Sequence, residues 1–226
     1  MKEELYNFTF NDVSITPYLY RDKFKKINKS DSPEIFEVID LYLNRLEVSS
    51  PEFYMVPNTK NYEGMVCRSI SLSFKKDKPS IFLTQPLIES YSKIPEVFKF
   101  LLAHELIHYF YKEYTIRRRS KTRILLEETR ANVEGAALAA LTKKEIRQAQ
   151  EFLHENNEGL KSRLECYKVG YPDRSMISDF CTRFRKFDEE VAREVLTDYY
   201  RYIGKDKSEQ EKEKLIKRDI NKFLNQ

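Results

Sequence analysis

Residues 101–110 have the sequence LLAHELIHYF, which places two of the chain's three histidines four positions apart in an apolar segment. Pro95 suits the first turn of a helix. Residues spaced at intervals of four, three, four and three then form one face of that helix. This face consists of Val97, Leu101, His104, His108 and Tyr111. The spacing therefore predicts a helix that directs both imidazoles to the same side as an apolar stripe.

His104, Glu105 and His108 match the pattern HExxH. Two neutral imidazoles on adjacent helical turns can bind one zinc ion, and the glutamate beside the first imidazole reaches towards the water that the zinc activates. The alternative is a pair of core histidines that hydrogen-bond to backbone, although buried imidazoles leave polar atoms that need partners. The motif favours a catalytic Zn²⁺ site in which Glu105 is the general base.

A catalytic zinc site usually has a third protein ligand. Residues 124–141, ILLEETRANVEGAALAAL, predict a second helix with two adjacent carboxylates. Glu128 shares a face with small residues that permit close helix packing, whereas Glu127 shares a more polar face that we expect to be solvated. The small residues on the Glu128 face are Ala131, Asn132, Gly135 and Ala139. We predict Glu128 as the ligand and Glu127 as a structural or electrostatic neighbour.

Two further side chains bear on this predicted site. Asn132, one turn beyond Glu128, can accept a hydrogen bond from a ligand histidine and so orient it. The third histidine, His154, lies in the polar segment EFLHENNEG, where we expect a surface role rather than metal binding.

The motifs together resemble those of the gluzincin metallopeptidases, in which HExxH is followed by a glutamate on a later helix; here nineteen residues separate His108 from Glu128. Residues 80–110 are similar to the strand, short helix and active-site helix of HtpX-like peptidases. The segment ETRANVEGA is similar to their glutamate segment, with Asn132 in place of an aspartate. The short separation looks more like the ImmA/IrrE peptidases, which act on transcriptional repressors.

This resemblance implies an intracellular zinc metallopeptidase whose substrate is a protein or peptide, with a specific regulatory protein among the candidates. An oxyanion would need a hydrogen-bond donor besides zinc. Tyr167, Tyr171 and Arg174 lie in a polar segment between predicted helices, and we select Tyr171. The alternative for Tyr171 is a tyrosine that packs on the core from an ordinary loop.

Segments outside the motifs predict the architecture. Residues 32–47 have helical spacing with Ser32 as a possible cap, residues 66–74 alternate in the manner of a strand, and residues 80–84 predict another strand. The last residues, with Ile216, Ile220, Phe223 and Leu224 at helical spacing, predict a docked terminal helix. We therefore expect an α+β, mainly helical, zincin-like fold with a small N-terminal sheet beside the HExxH helix.

We expect a single domain over residues 1–226. It would comprise an N-terminal helix and sheet region (1–94), the zinc-site helices (95–141) and a C-terminal helical region (142–226).

The composition of the chain indicates the cellular compartment in which we expect the protein. Hydrophobic residues make up 41% and charged residues 34%, and no apolar run reaches the roughly 20 residues of a membrane helix. The first residues lack the pattern of an export signal, and three widely spaced cysteines suit a reducing compartment, so we expect a cytoplasmic protein without a membrane span.

A net charge of +4 does not by itself indicate nucleic-acid binding. The basic segment 116–123, IRRRSKTR, is interpreted either as an attractive surface for an acidic peptide or nucleic-acid-bound target, or as a solvated connection. The oligomeric state stays open.

The alternative function is a non-catalytic, zinc-stabilised regulatory or nucleic-acid-associated binding protein. A structural zinc site would normally have a fourth protein ligand, for which Cys166 and Cys181 are candidates if the fold brings them near. Glu105 favours the enzyme, because a purely structural site has no need of a glutamate beside its first histidine.

Overall fold

A small mixed sheet forms the N-terminal side of the protein. The structure, a computed structural model, describes residues 25–56, 69–72, 79–113, 119–155 and 162–225. The four strands are β1 (Lys25–Lys26), β2 (Glu52–Val56), β3 (Ser69–Leu72) and β4 (Ser80–Thr84). Their order in the sheet is β1-β2-β4-β3.

The central strand β4 pairs in parallel with β2 and antiparallel with β3, with Glu52 opposite Ser80 and Ser69 opposite Leu83. All five residues of β4 are buried, as a nearly continuous apolar strand should be when both of its faces are covered. The strands predicted at 66–74 and 80–84 are confirmed where they are described; residues 66–68 and 73–74 lie outside the described part.

Nine helices are described: α1 (Pro33–Leu46), α2 (Gln85–Ser90), α3 (Pro95–Phe110), α4 (Lys121–Leu138), α5 (Lys143–Glu155), α6 (Arg163–Val169), α7 (Arg174–Arg183), α8 (Glu189–Ile203) and α9 (Glu209–Leu224). The α+β prediction is therefore confirmed. α1 begins at Pro33 as predicted, but the side chain of Ser32 makes no capping hydrogen bond. Among the described residues, no helix is sufficiently long and apolar to cross a membrane.

The helix α3 is apolar around most of its circumference. Its buried residues are Val97, Phe98, Phe100, Leu102, Ala103, Leu106, Ile107, His108 and Tyr109. The predicted face is only partly buried: Val97 and His108 are buried, Leu101 and His104 are partly buried, and Tyr111 is 38% exposed. A helix that is apolar all round belongs in the interior, and α3 packs against the sheet, α1, α4 and α5.

Two apolar clusters meet at α4. One cluster joins β2 and β4 to α1, α3 and α5, and the other joins α4 to α6, α7, α8 and α9. Ala136 of α4 belongs to the first cluster, whereas Leu125, Leu126 and Val133 belong to the second. The terminal helix α9 buries Ile216, Ile220 and Phe223, as predicted, whereas Leu224 at its last position is 42% exposed. Consequently α4 is held from both sides while it lies against α3.

Candidate metal centre

The two histidines of α3 face each other across one helical turn. Their ring centroids lie 4.6 Å apart with an interplanar angle of 80°. The Nε2 atoms of His104 and His108 are 3.0 Å apart. The helix therefore directs both Nε2 atoms to one point, as the four-residue spacing predicts.

Glu128 of α4 completes this group. Its Oε2 lies 3.3 Å from Nε2 of His104, and its Oε1 lies 3.6 Å from Nε2 of His108. One ligand atom from each of the three residues falls within 4.8 Å of the others. We call these three residues the His–His–Glu cluster, and they are the three that the sequence predicts as metal ligands.

The separations in the cluster suit a small tetrahedral ion. Zinc bonds to nitrogen and oxygen of about 2.0–2.1 Å at tetrahedral angles require ligand atoms about 3.3 Å apart. The three observed distances, 3.0, 3.3 and 3.6 Å, lie on both sides of that value. The donor set of two imidazoles and one carboxylate is also one that zinc uses in catalytic sites. The cluster therefore fits the predicted ion.

A glycine permits α4 to approach α3 this closely. A Cβ atom on Gly135 would lie 2.9 Å from the backbone N of His104 and 3.1 Å from its Cα. Both neighbours are backbone atoms, which cannot move aside as a flexible side chain can. The prediction that small residues on the Glu128 face allow close packing is confirmed at this position.

Asn132 connects the two helices at the cluster. Its Nδ2 donates to the backbone oxygen of Glu128 at 2.7 Å, which leaves its Oδ1 to accept from Nδ1 of His104 at 3.2 Å. With the proton on Nδ1, the lone pair of His104 Nε2 is directed towards Glu128. The position of Asn132 matches the orienting role predicted for it.

Glu113, which the sequence analysis missed, holds the second histidine. Nδ1 of His108 donates to Oε2 of Glu113, whose side chain is only 2% exposed. The chain reverses just beyond α3 because Lys112 adopts a left-handed conformation with φ 53°. A lysine gives no sequence signal for this conformation, which glycine usually occupies. An acidic residue five positions beyond His108 was the only available hint.

The buried charges favour a cation at the cluster. Burial alone would raise the pKa of Glu128, but His108 and His104 outweigh it and hold that pKa well below its usual value. Burial alone would lower the pKa of His108, but Glu128 and Glu113 raise it. Two carboxylates thus lie against one imidazole: Glu113 holds the Nδ1 proton, and a metal ion would take the place of a proton between Nε2 and Glu128.

The prediction that the Glu127 face of α4 is solvated is wrong. Its side chain is fully buried and accepts from Nε of Arg123 at 2.6 Å and from Nη1 of Arg119 at 3.1 Å. Burial, followed by the charge of Glu113, raises the pKa of Glu127, and Arg119 opposes this shift. The face is buried because two guanidinium groups neutralise the carboxylate there.

The same contacts bear on the basic segment 116–123. Arg119 and Arg123 have an internal partner in Glu127, so these two side chains contribute to the fold beside the cluster. Residues 116–118 lie outside the described part. The segment was interpreted as an attractive surface or as a solvated connection. Neither interpretation includes the ion pairs that Arg119 and Arg123 make with Glu127.

Tyr171 lies at the cluster. Its hydroxyl forms a hydrogen bond with Glu128, and burial, Glu128 and Glu105 together raise the pKa of Tyr171 well above its usual value, with Arg119 opposing. Glu105 is partly buried on α3 between the two histidines. The structure thus brings the predicted general base and the selected tyrosine to the same centre.

The turn before Tyr171 requires glycine. Gly170 ends α6 with φ 86°, and a Cβ there would lie 2.6 Å from the backbone oxygen of Lys121 at the start of α4. The backbone N of Tyr171 then donates to the oxygen of Cys166 at 2.9 Å. This close contact between the turn and α4 places Tyr171 beside Glu128.

The other candidates lie elsewhere. The hydroxyl of Tyr167 donates to Asp198, and its ring packs in the cluster of α4 and α6 to α9. Arg174 is the first residue of α7. Cys166 and Cys181 are buried free thiols, and neither joins the His–His–Glu cluster within the described ranges. Cys67 and the side chain of His154 lie outside the described part.

Comparisons of this chain with models of known protein families, with curated proteins and with solved structures find no match. The residues of the site and their geometry are therefore the observations that bear on function.

Proposed function

We propose that the chain is a zinc-dependent metallopeptidase of the gluzincin type, with Glu105 as the general base. One observation carries this proposal: Nε2 of His104, Nε2 of His108 and the Glu128 carboxylate converge at 3.0–3.6 Å, and Glu105 directly follows the first of them. A protein or peptide is the substrate class to which this chemistry applies.

The His–His–Glu cluster would hold the zinc ion. When bound, zinc supplies Lewis acidity, which lowers the pKa of a bound water to about 7 and polarises a carbonyl group. Asn132 and Glu113 keep the protons of the two histidines on Nδ1, so the Nε2 lone pairs stay directed at the centre.

Glu105 handles the proton of the attacking water. Its carboxylate takes that proton as the water adds to the scissile carbonyl carbon, and it then transfers the proton to the amine that leaves. Glu105 directly follows the first histidine of the cluster on α3, and its side chain is partly buried.

Tyr171 supplies a hydrogen-bond donor. A tyrosine hydroxyl is protonated at neutral pH, and burial and the neighbouring carboxylates raise the pKa of Tyr171 further. In the free protein this hydroxyl interacts with Glu128, and a donor so close to the cluster can instead serve the developing oxyanion. Its position beside Glu128 favours this role over a purely structural one.

The sheet edge beside α3 provides a surface for an extended peptide. β3 is an outer strand of the described sheet, and α3 packs next to it. An extended substrate segment can add to such an edge through main-chain hydrogen bonds. The substrate backbone would then pass alongside the helix that carries the catalytic residues.

The non-catalytic alternative requires a different site. A structural zinc ion normally has four protein ligands, whereas the described residues bring together three, with Glu105 beside them. The geometry therefore favours catalysis over a stabilising role.

The first test combines metal content with peptide cleavage. We expect about one zinc per chain by mass spectrometry of the purified protein. Incubation with a peptide library should give new termini. Glu105→Gln should keep the zinc and lower cleavage by at least about 100-fold, because it removes the general base. The control Glu151→Gln, on an exposed position of α5, should leave both unchanged.

Two outcomes would contradict the proposal. Wild-type protein that takes up no zinc under reducing conditions would leave the histidines as core residues. Zinc binding with no cleavage of any peptide, or cleavage that Glu105→Gln leaves intact, would support a stabilising metal or a contaminating peptidase instead.

A further inference from the structure

A chain of contacts leads from the cluster to the C-terminal helix. It begins at Glu113, whose two carboxylate oxygens have different partners. Oε2 accepts from Nδ1 of His108, and Oε1 accepts from Nη2 of Arg130. Because Glu113 is almost completely buried, its orientation depends on these two partners rather than on solvent.

Arg130 contacts two aromatic rings. Its Cζ is 3.6 Å from the ring centroid of Tyr111 and 4.6 Å from that of Phe223. Both distances are within the range of about 6 Å at which a guanidinium is attracted to a ring face. Its Nε is buried without a hydrogen-bond partner among the described residues, so the rings supply much of the guanidinium's surroundings.

A hydrogen bond to Glu134 of α4 holds the ring of Tyr111 in place. Its hydroxyl donates to Oε2 of Glu134 at 2.9 Å, while Oε1 of Glu134 accepts from the backbone N of Phe187 at 3.0 Å. One side of the guanidinium is therefore bounded by a ring that α4 holds in place.

The second ring in contact with Arg130 is that of Phe223, in the last turn of α9. Phe223 is 6% exposed and packs edge-on against Phe187 with centroids 5.5 Å apart. The helix α9 docks on α8 and α4 through its buried residues. The position of Phe223, and hence one wall around Arg130, thus depends on the docking of α9.

We propose that the docked helix α9 holds His108 in its metal-binding orientation through Phe223, Arg130 and Glu113. This inference rests on the proposed metal site. Arg130 is a positioning residue, since it acts on the cluster only through Glu113. Without the Phe223 ring, the guanidinium can turn away, Glu113 loses its fixed partner, and Nε2 of His108 is no longer directed at Glu128.

The test measures zinc affinity by competition with a chromogenic chelator. Arg130→Gln and Phe223→Leu should weaken zinc binding about 10- to 100-fold, as is typical when a group that orients a metal ligand is lost. Phe223→Leu keeps an apolar side chain in the core and removes the aromatic face. Arg130→Lys keeps the charge and should recover part of the affinity.

The matched control is Ile216→Ala, which truncates a buried side chain on the same helix about 10 Å from Phe223. It should lower the melting temperature while zinc affinity stays within about threefold, because the contacts from Phe223 through Arg130 to Glu113 are intact. The visible absorption of Co²⁺-loaded protein gives a second readout: the Arg130 and Phe223 variants should shift the bands, and Ile216→Ala should not.

Several outcomes would overturn the inference. Wild-type affinity in Arg130→Gln, or equal losses in Ile216→Ala and Phe223→Leu, would show that α9 supports only overall stability. In either case wild-type protein still binds zinc, so the proposed function survives. If wild-type protein binds no zinc, the proposed function fails and this inference fails with it.

Discussion

Two neighbouring faces of α4 bury carboxylates of opposite character. Glu127 lies against two guanidinium groups that belong to the protein, whereas Glu128 lies against two imidazoles and a tyrosine hydroxyl. Their side-chain exposures are 0% and 12%, so burial alone does not distinguish them. What differs is the source of the positive charge that neutralises each carboxylate.

The Glu127 carboxylate needs no added group, because the arginines beside it stay charged and neutralise it. The Glu128 carboxylate has no permanently charged partner. Its neighbouring imidazoles are neutral when deprotonated, and their Nε2 atoms are directed at the same point as the carboxylate. A buried carboxylate with permanent partners stabilises a fold, and one with exchangeable partners can bind an ion. Experiments can separate these two properties.

The largest expected effect comes from removing the charge on each face in turn. Glu128→Gln should abolish stoichiometric zinc binding, since it removes an anionic ligand. Glu127→Gln should keep the zinc but lower the free energy of unfolding by about 2 kcal/mol, because it removes the buried carboxylate that pairs with two partly exposed guanidinium groups. Metal analysis and urea denaturation in EDTA measure the two effects independently.

The measurement in EDTA is the control for both variants, because it removes any contribution of bound zinc to stability. If Glu127→Gln lost zinc while Glu128→Gln retained it, the assignment of the third ligand would be reversed. A loss of zinc in both variants at unchanged stability would remove the distinction between the two faces.

Tyr171 and Tyr167 provide a second comparison between a residue at the metal centre and one that stabilises the fold, with a smaller expected effect. Tyr171→Phe should lower kcat about 100-fold without loss of zinc, because it removes the proposed donor to the oxyanion. Tyr167→Phe should leave kcat unchanged and cost about 1 kcal/mol of stability, because it breaks a partly buried hydrogen bond to Asp198. Steady-state kinetics and thermal denaturation of both variants provide the test. Unchanged turnover in Tyr171→Phe would remove that residue from the mechanism.

The smallest effect tests the spacing between α3 and α4. Gly135→Ala should cost about 1–3 kcal/mol, because the added methyl group meets the His104 backbone. Zinc affinity should also fall, since the two helices must separate. Ala137→Gly, at a partly exposed position of the same helix, is the control: it weakens the helix by about 1 kcal/mol but adds no atom between the helices. Equal zinc affinity in the two variants would argue against the close approach.

Local patterns predicted much of the fold. Pro33 and Pro95 are at the starts of α1 and α3, and the apolar segment 80–84 forms the central strand. The terminal helix docks through three of the four residues predicted from its periodicity, and Leu224 is exposed. The predicted face of α3 is only partly buried because a helix covered on several sides is apolar all round, and periodicity carries less information in such a helix.

The site was predictable to the extent that its residues are close in sequence. Helical geometry relates His104, Glu105 and His108 without reference to any other element, and the small residues around Glu128 indicated the face that approaches α3. Glu127 was placed in solvent because its two arginine partners could not be recognised as such in a basic run. Glu113 was missed because its position depends on one left-handed residue, Lys112.

Residue spacing alone specifies which helix faces carry the imidazoles and the carboxylate, since the α-helix converts spacing directly into direction. Three contacts, in contrast, became known only from the folded chain: Glu127 is neutralised internally, Tyr171 reaches Glu128, and Phe223 contacts the guanidinium of Arg130. These contacts join residues that are distant in the chain, and they depend on how helices pack around two apolar clusters. Packing of that kind is a property of the whole fold, and no local segment encodes it.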